Sequence, residues 1–348
     1  LRATAPLNVA LVGYGYVGKV FHAPLIAHTH GLHLHTVVSG DATKVHADIP
    51  EVRVAADPRS AFDDDAIDLV VIAAPNAVHA RLALAALQAG RHVVVDKPFT
   101  TTLAEARQVV DAATRNGRIA SVFHNRRWDG DFLTLRKLVE DGTLGEVVEL
   151  HSHFDRFRPQ VPDRWRERAG AGAGLWFDLG PHLVDQSLQL FGTPEAVQAD
   201  IAMQRDGAVV DDWFHVVLRY PRLRVVLHAG ALVAAPGPRF VAHGTRGSFV
   251  KHGLDTQEAM LRQGIVPGAP GWGVDPAPGT LTHVDDGVAH ASRVETIAGD
   301  YRAFYARMRD ALLGHAPPPV TATEALAVMR ILELGATSAR EGRAMPLD

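Results

Sequence analysis

Two short segments carry side chains suited to moving a proton at a hydroxyl group. One is Asp178-Leu179-Gly180-Pro181-His182, which leads into a helical pattern with proline near its first turn. Asp178 and His182 are four apart, so on a helix they share one face. The other is Asp96-Lys97-Pro98, which follows an apolar run. An imidazole takes or returns a hydroxyl proton near neutral pH, and an ammonium beside it stabilises the charge that develops on oxygen. A carboxylate orients the ring or holds a neighbouring hydroxyl. Each residue also has a plain structural alternative: Asp178 as a helix cap, His182 as one of nineteen histidines, Lys97 as a strand-end surface lysine. Lysine is scarce here, with only Lys19, Lys44, Lys97, Lys137 and Lys251 among 35 basic residues. That weakly favours Lys97 being needed as a lysine.

The elements that must position these groups begin with alternating apolar runs and helical patterns over the first 124 residues, the mark of a parallel α/β sheet. Strands are predicted at 7–12, 33–38, 68–74, 92–95 and 119–123. Helices are predicted from about Tyr16, after Pro75 and after Thr102. Between the first strand and its helix stands Gly13-Tyr14-Gly15-Tyr16-Val17-Gly18. A GxGxxG in strand–turn–helix context reads as a dinucleotide-binding turn, with the pyrophosphate at the helix N-terminus. The second strand ends Val38-Ser39-Gly40-Asp41, followed by Lys44. In this register Gly40 takes the place of the acid that holds the ribose 2′-hydroxyl of NAD. Ser39 and Lys44 suit a 2′-phosphate instead, so NADP is favoured and NAD remains open; a register one residue later would make Asp41 the ribose-binding acid. Ala74-Pro75-Asn76, with His79 one turn on, and Asp96-Lys97 both follow strands at the carboxyl edge of this sheet, where ligands of α/β folds bind.

Beyond residue 124 the pattern changes. Helices are predicted near 132–141, 181–191, 257–262, 299–313 and 323–340. Strands are predicted at 146–157, 196–203, 213–220, 224–232, 240–244 and 248–251, and the Gly- and Pro-rich stretch 234–278 reads as a long loop with a short helix near 257–262. The expected fold class is α/β: an N-terminal Rossmann domain (1–124) and a C-terminal α+β domain (125–348) with a large, mostly antiparallel open sheet. The last helix is placed to pack back on the first domain.

Taken in order, GYGYVG, the AAPN segment with His79, DKP, Arg126-Arg127-Trp128 and DLGPH resemble the Gfo/Idh/MocA oxidoreductases from about Leu7 to the C-terminus. The resemblance implies an NAD(P)-dependent dehydrogenase or reductase acting on CH–OH groups. It implies Lys97, Asp178 and His182 as catalytic residues, with His182 the acid/base and Lys97 touching both cofactor ribose and substrate. It places Gly13, Gly15, Tyr16, Val17, Gly18, Ser39, Gly40, Lys44, Ala74, Pro75, Asn76, His79, Asp96, Lys97 and Asn125 around the cofactor. Arg127, Asp155, Arg156 and Trp165 join Lys97, Asp178 and His182 as substrate contacts. Many members carry Glu-Lys-Pro where this chain has Asp96-Lys97-Pro98, so one methylene is lost at the ribose. The segments 153–159, 247–258 and 270–273 look most like the NADP-dependent scyllo-inositol dehydrogenase-like branch.

Composition narrows the classes further. The formal net charge is −4, which argues against a nucleic-acid surface, and no apolar run approaches a membrane span. With no cysteine there are no disulfides and no thiolate zinc site. His28, His30, His33 and His35, and the alternating His151, His153 and Asp155, are read as non-metal sites, with 151–158 forming one wall of a substrate cleft. The expectation is a cytoplasmic enzyme for a cyclic polyol or sugar, forming a homodimer or homotetramer through the open sheet. Open alternatives are reduction of a non-sugar carbonyl, imine or dihydrodiol, and a catalytically silent NAD(P)-sensing regulator.

Overall fold

The computed structural model describes residues 5–163 and 167–347. Trp165, expected at the substrate, lies outside the described residues. The chain divides into two compact units: residues up to Asn125 with Gln257–Trp272 and Asp300–Leu326, and Arg126–Thr256 with Gly273–Gly299 and the residues from Ala327 on.

The first unit is built on six strands, β1 (Leu7–Val12), β2 (Leu32–Val38), β3 (Arg53–Ala55), β4 (Leu69–Ile72), β5 (His92–Val95) and β6 (Ala120–Val122). They pair in parallel in the order β3-β2-β1-β4-β5-β6. Val9, Ala10, Leu11, Leu69, Val70, Val71 and Ile72 are fully buried. Helices on both faces leave the central strands no wet side, so they read as unbroken apolar runs. The order reverses between β1 and β4, the switch point at which open α/β sheets bind ligands. The helix Leu103–Arg115 starts on a capping box: Glu105 N–H donates to Thr102 Oγ1 while Thr101 N–H donates to the Glu105 carboxylate.

The second unit holds nine strands: β7 (Val147–His153), β8 (Ala196–Ala202), β9 (Trp213–Arg219), β10 (Arg224–Gly230), β11 (Phe240–Gly244), β12 (Gly247–Lys251), β13 (Gly279–Asp285), β14 (Val288–Val294) and β15 (Met345–Pro346). The sheet runs β14-β13-β12-β11-β7-β10-β9-β8-β15, antiparallel except where β7 meets β10. Val197, Phe214, Val216, Leu218, Val225 and Leu227 bury one face, against which the helix Leu175–Phe191 packs. The opposite face carries His153, His228, His215 and Asp200 in neighbouring register positions across β7, β10, β9 and β8.

Two expectations change. The helix bearing Asp178 and His182 begins at Leu175, nearly two turns before the predicted start, so Pro181 lies in its interior rather than near its first turn. Its cap is supplied from outside: Leu175 N–H donates to the Asp211 carbonyl (2.8 Å) and Trp176 N–H to the Asp211 carboxylate (2.6 Å). A strand pair, β13 and β14, also stands where no element was predicted. It turns at Asp286 and Gly287, both at positive φ (49° and 79°). This is an Asp-Gly hairpin signal, and β14 is almost wholly exposed.

Candidate active site

In the first unit, the turn after β1 is built by sterics. Gly13 sits at φ 102°, and a Cβ there would stand 2.5 Å from the Ala73 carbonyl oxygen at the end of β4. At Gly18 a Cβ would fall 2.1 Å from the Gly13 carbonyl oxygen. Both positions therefore exclude any side chain. Gly15 is different: a Cβ there meets nothing within 4 Å. The chain itself does not require glycine at this position, but a phosphate lying against the backbone would. The first helical turn, Gly18–His22, is wound wide, with Ala23 N–H donating to the Gly18 carbonyl. Val17 precedes it, and Tyr16 is exposed, its hydroxyl donating to Glu258 at 3.1 Å. An open glycine beside a helix start fits a dinucleotide pyrophosphate.

At the end of β2, Asp41 caps the helix Ala42–Asp48, its carboxylate accepting from Lys44 N–H at 2.9 Å. Asp41 N–H in turn donates to Ser39 Oγ at 3.1 Å. The cap thus engages the one acid that a shifted register would have offered to the ribose. Gly40 and the Lys44 side chain are exposed beside it.

Asp96, Lys97, Asn76 and Asn125 are buried at the carboxyl edge of the same sheet, with Ala74 and Pro75 in the neighbouring turn. His79 is completely buried, its ring nitrogens 2.9 Å from the Pro98 and Ala74 carbonyl oxygens. The ring ties the Asp96-Lys97-Pro98 turn to the Ala74-Pro75-Asn76 turn, so its service to a nucleotide is as a brace. Burial alone would raise the Asp96 carboxyl, but the His22 ring facing it 3.7 Å away, with Lys97 and His79, outweighs burial and holds it below the usual range. His22 Nδ1 lies 2.5 Å from the Tyr305 hydroxyl. That hydroxyl is raised well above the ordinary tyrosine value by burial and by Asp96. Sequence reasoning missed His22 and Tyr305, which are 283 positions apart and carry no local signal.

In the second unit, Asp178 and His182 share one face of the Leu175–Phe191 helix, His182 buried and Asp178 half-buried. Gly180 is required here, since a Cβ would stand 2.6 Å from the Trp176 ring, whose indole N–H donates to the Leu332 carbonyl (2.9 Å). Asp178 lines a recess of about 30 Å³ together with Arg156, Arg158, Arg205, Asp211 and Asp212. Arg205 is neutralised within the recess wall by Asp212 and Glu167, at 2.8 and 2.7 Å. Burial pushes the Asp211 carboxyl up to about 6 despite the backbone N–H groups it accepts from.

The remaining predicted substrate contacts separate. Arg156 faces the recess, its guanidinium over the Phe154 ring. Asp155, one residue earlier, points to the opposite face of the sheet beside His153 and His228. Arg127 is 5% exposed and held by Asp185 through two bonds of 2.9 and 2.6 Å. Gln186, the next residue on that helix, donates to the Arg126 carbonyl at 2.8 Å. This pair of contacts anchors the helix one turn beyond His182. Of the early histidine group, His28 and His33 bond to Pro24 and Asn8, and the His33 and His35 ring centroids stand 5.8 Å apart.

Among the described residues no helix is long and apolar enough to cross a membrane. The chain matches the profile of an oxidoreductase family's NAD-binding Rossmann fold over residues 7–124, and that family's C-terminal alpha/beta domain over 136–347. It is 52% identical over 334 residues to the oxidoreductase YdgJ of Escherichia coli strain K12, covering 96% of each chain. It is 37% identical over 349 residues to the NADP(+)-dependent scyllo-inositol 2-dehydrogenase IolW of Bacillus subtilis strain 168, covering 100% of this chain and 98% of the relative. Among solved structures, an oxidoreductase of Yersinia pestis matches with a TM-score of 0.95 at 50% identity, covering 99% of this chain and 98% of that one. YvaA of Bacillus subtilis matches with a TM-score of 0.97 at 37% identity over the whole of both chains.

Proposed function

Because the chain belongs to the Gfo/Idh/MocA oxidoreductase family, we propose that it is an NADP-preferring dehydrogenase or reductase of a cyclic polyol or sugar of the inositol type. The observation that carries the cofactor assignment is Gly15, a glycine that only a bound group would require. When bound, the dinucleotide supplies the hydride acceptor or donor at its nicotinamide ring. His182 removes or returns the proton of the reacting hydroxyl. Lys97 supplies a hydrogen-bond donor that stabilises negative charge on the reacting oxygen. Asp178 accepts from a neighbouring hydroxyl, which suits a polyhydroxylated ring. Arg156, beside Asp178 in the recess, offers a further donor to such a ring.

Support for NADP comes from Asp41, engaged as a helix cap, and from exposed Lys44 on the first turn. It comes also from the relative whose name states NADP(+) dependence. A charge-assisted bond from Lys44 to a 2′-phosphate contributes about 1.5–3 kcal/mol, or roughly 10–100-fold in preference. The outer face of the nine-stranded sheet is the surface through which we infer pairing of copies; sedimentation of the purified protein reads that directly.

The deciding assay follows reduced nicotinamide absorbance with NADP or NAD against inositols, aldoses and simpler alcohols. Turnover with inositols or sugars and an NADP preference is expected. His182→Ala and Lys97→Met lower turnover by about 10²–10⁴-fold, and in His182→Ala reduced-cofactor fluorescence titrations change little. Full activity in His182→Ala sinks the mechanism, and binding without turnover on any substrate moves the protein to a sensing role.

A further inference from the structure

On the face of the second sheet away from the Leu175–Phe191 helix, His153, Asp155 and His228 bring two imidazoles and a carboxylate together, with one ligand atom of each within 4.8 Å of the others. His153 and His228 are register partners on the parallel strands β7 and β10, so the backbone fixes their side-by-side placement. Asp155 follows His153 by two residues, and its position is fixed separately: its Oδ1 accepts from Gly230 N–H at 3.0 Å. The distances decide what the cluster suits. His228 Nε2 lies 3.3 Å from Asp155 Oδ1, and His153 Nδ1 lies 3.4 Å from Asp155 Oδ2. A charge-assisted N–H···O bond is about 2.7–2.9 Å, so both contacts are long for histidine–carboxylate hydrogen bonds. Ligand atoms about 2.1 Å from one tetrahedral ion stand about 3.4 Å apart, and here one oxygen of the carboxylate faces each ring at that spacing, with one ligand atom from each of the three residues within 4.8 Å of the others.

We propose that His153, Asp155 and His228 form a binding site for one divalent transition-metal ion of the zinc class, tying β7 to β10. Two imidazoles and one carboxylate select Zn²⁺, Co²⁺ or Ni²⁺ over Mg²⁺ and Ca²⁺, which prefer all-oxygen cages. The Gly230 N–H is the kind of outer contact that holds a ligating carboxylate in orientation. His151 stacks on His153 with ring centroids 6.0 Å apart, and His215 lies 5.9 Å from His228, so a fourth donor or a water completes the shell. The sequence expectation of no metal on this strand considered His151, His153 and Asp155 alone. His228, 75 residues further on, takes the place of His151 as the third ligand.

The test uses the full chain in the oligomeric state in which it purifies, stripped with chelator and exchanged into metal-free buffer. Titration with Co²⁺ is expected to raise visible d–d absorption that saturates at one ion per chain. Zn²⁺ should compete for the same site and raise Tm. His228→Gln and His153→Gln, each shown folded by circular dichroism, should lose the saturating band and bind at least about tenfold more weakly. Neither residue belongs to the proposed catalytic set, so nicotinamide-linked turnover is measured in parallel and stands or falls independently. Failure of the wild type to bind one ion, or an equally tight site surviving in both variants, overturns the proposal.

Discussion

Arg127 has two readings, a contact to substrate or a brace for the helix that carries His182, and removing its partner separates them. Asp185→Ala leaves the substrate side untouched but strips two bonds, of 2.9 and 2.6 Å, from a guanidinium whose residue is 5% exposed; Asp185 itself is 2% exposed. Breaking a buried ion pair by deleting one partner costs about 3–5 kcal/mol, because the remaining charge stays out of water. For a unit of this size each kcal/mol moves Tm by about 2–4 °C, so the expected loss is about 6–20 °C. A thermal melt by near-ultraviolet circular dichroism, run without cofactor, reads it. Arg127→Lys should also fall short, since a single ammonium cannot reproduce the two-pronged bond. A Tm within about 2 °C of wild type in Asp185→Ala, with turnover lost in a well-folded Arg127→Ala, would falsify the brace and return Arg127 to the substrate.

Three further outcomes are expected. Gly15→Ala should fold with unchanged or slightly higher Tm yet bind reduced dinucleotide at least about tenfold more weakly, whereas Gly18→Ala should lose both stability and binding; a Gly15→Ala protein with full affinity removes the pyrophosphate from that turn. Lys44→Glu should weaken NADPH by about 10–100-fold while leaving NADH nearly unchanged, and equal effects on both cofactors would end the 2′-phosphate assignment. Asp211, raised from 3.8 to about 6, binds its proton more tightly folded than unfolded. Its contribution is fully present below about pH 4 and is lost as pH rises through 6. After allowance for water reaching a half-buried carboxyl it amounts to about 1–2 kcal/mol. Urea melts between pH 4 and 7 should show that slope in the wild type and not in Asp211→Asn.

The first unit was legible because its strands are buried on both faces: β1 and β5 fall where the apolar runs placed them. The glycine turn was legible because its sterics are local. The second unit was harder where partners are distant. The Asp211 cap on Leu175 and Trp176 comes from 35 residues away, and without it Pro181 looks like a helix start rather than an interior residue. β14 is exposed along almost its whole length, so it carries no alternation of burial to read, and only the Asp286-Gly287 turn betrays it. At the site, the residue types around Lys97, Asp178 and His182 were visible, but the contacts that occupy Arg127 and Asp155 were not. Asp185 and His228 became neighbours only through helix and sheet pairing.

Gly174 and Asp211 form a matched pair with a consequence for inheritance. Gly174 stands at φ 89° before the helix, and a Cβ on it would lie 2.0 Å from Asp211 Oδ1. A side chain at 174 cannot arise while the aspartate caps the helix, and the aspartate cannot be lost without uncapping the turn that carries Asp178. Descendants of this sequence are therefore held to glycine at 174 twice over, by the φ of 89° and by the aspartate oxygen. A change at 211 alone removes the side-chain half of the cap, the Trp176 N–H bond, and leaves the backbone half at Leu175.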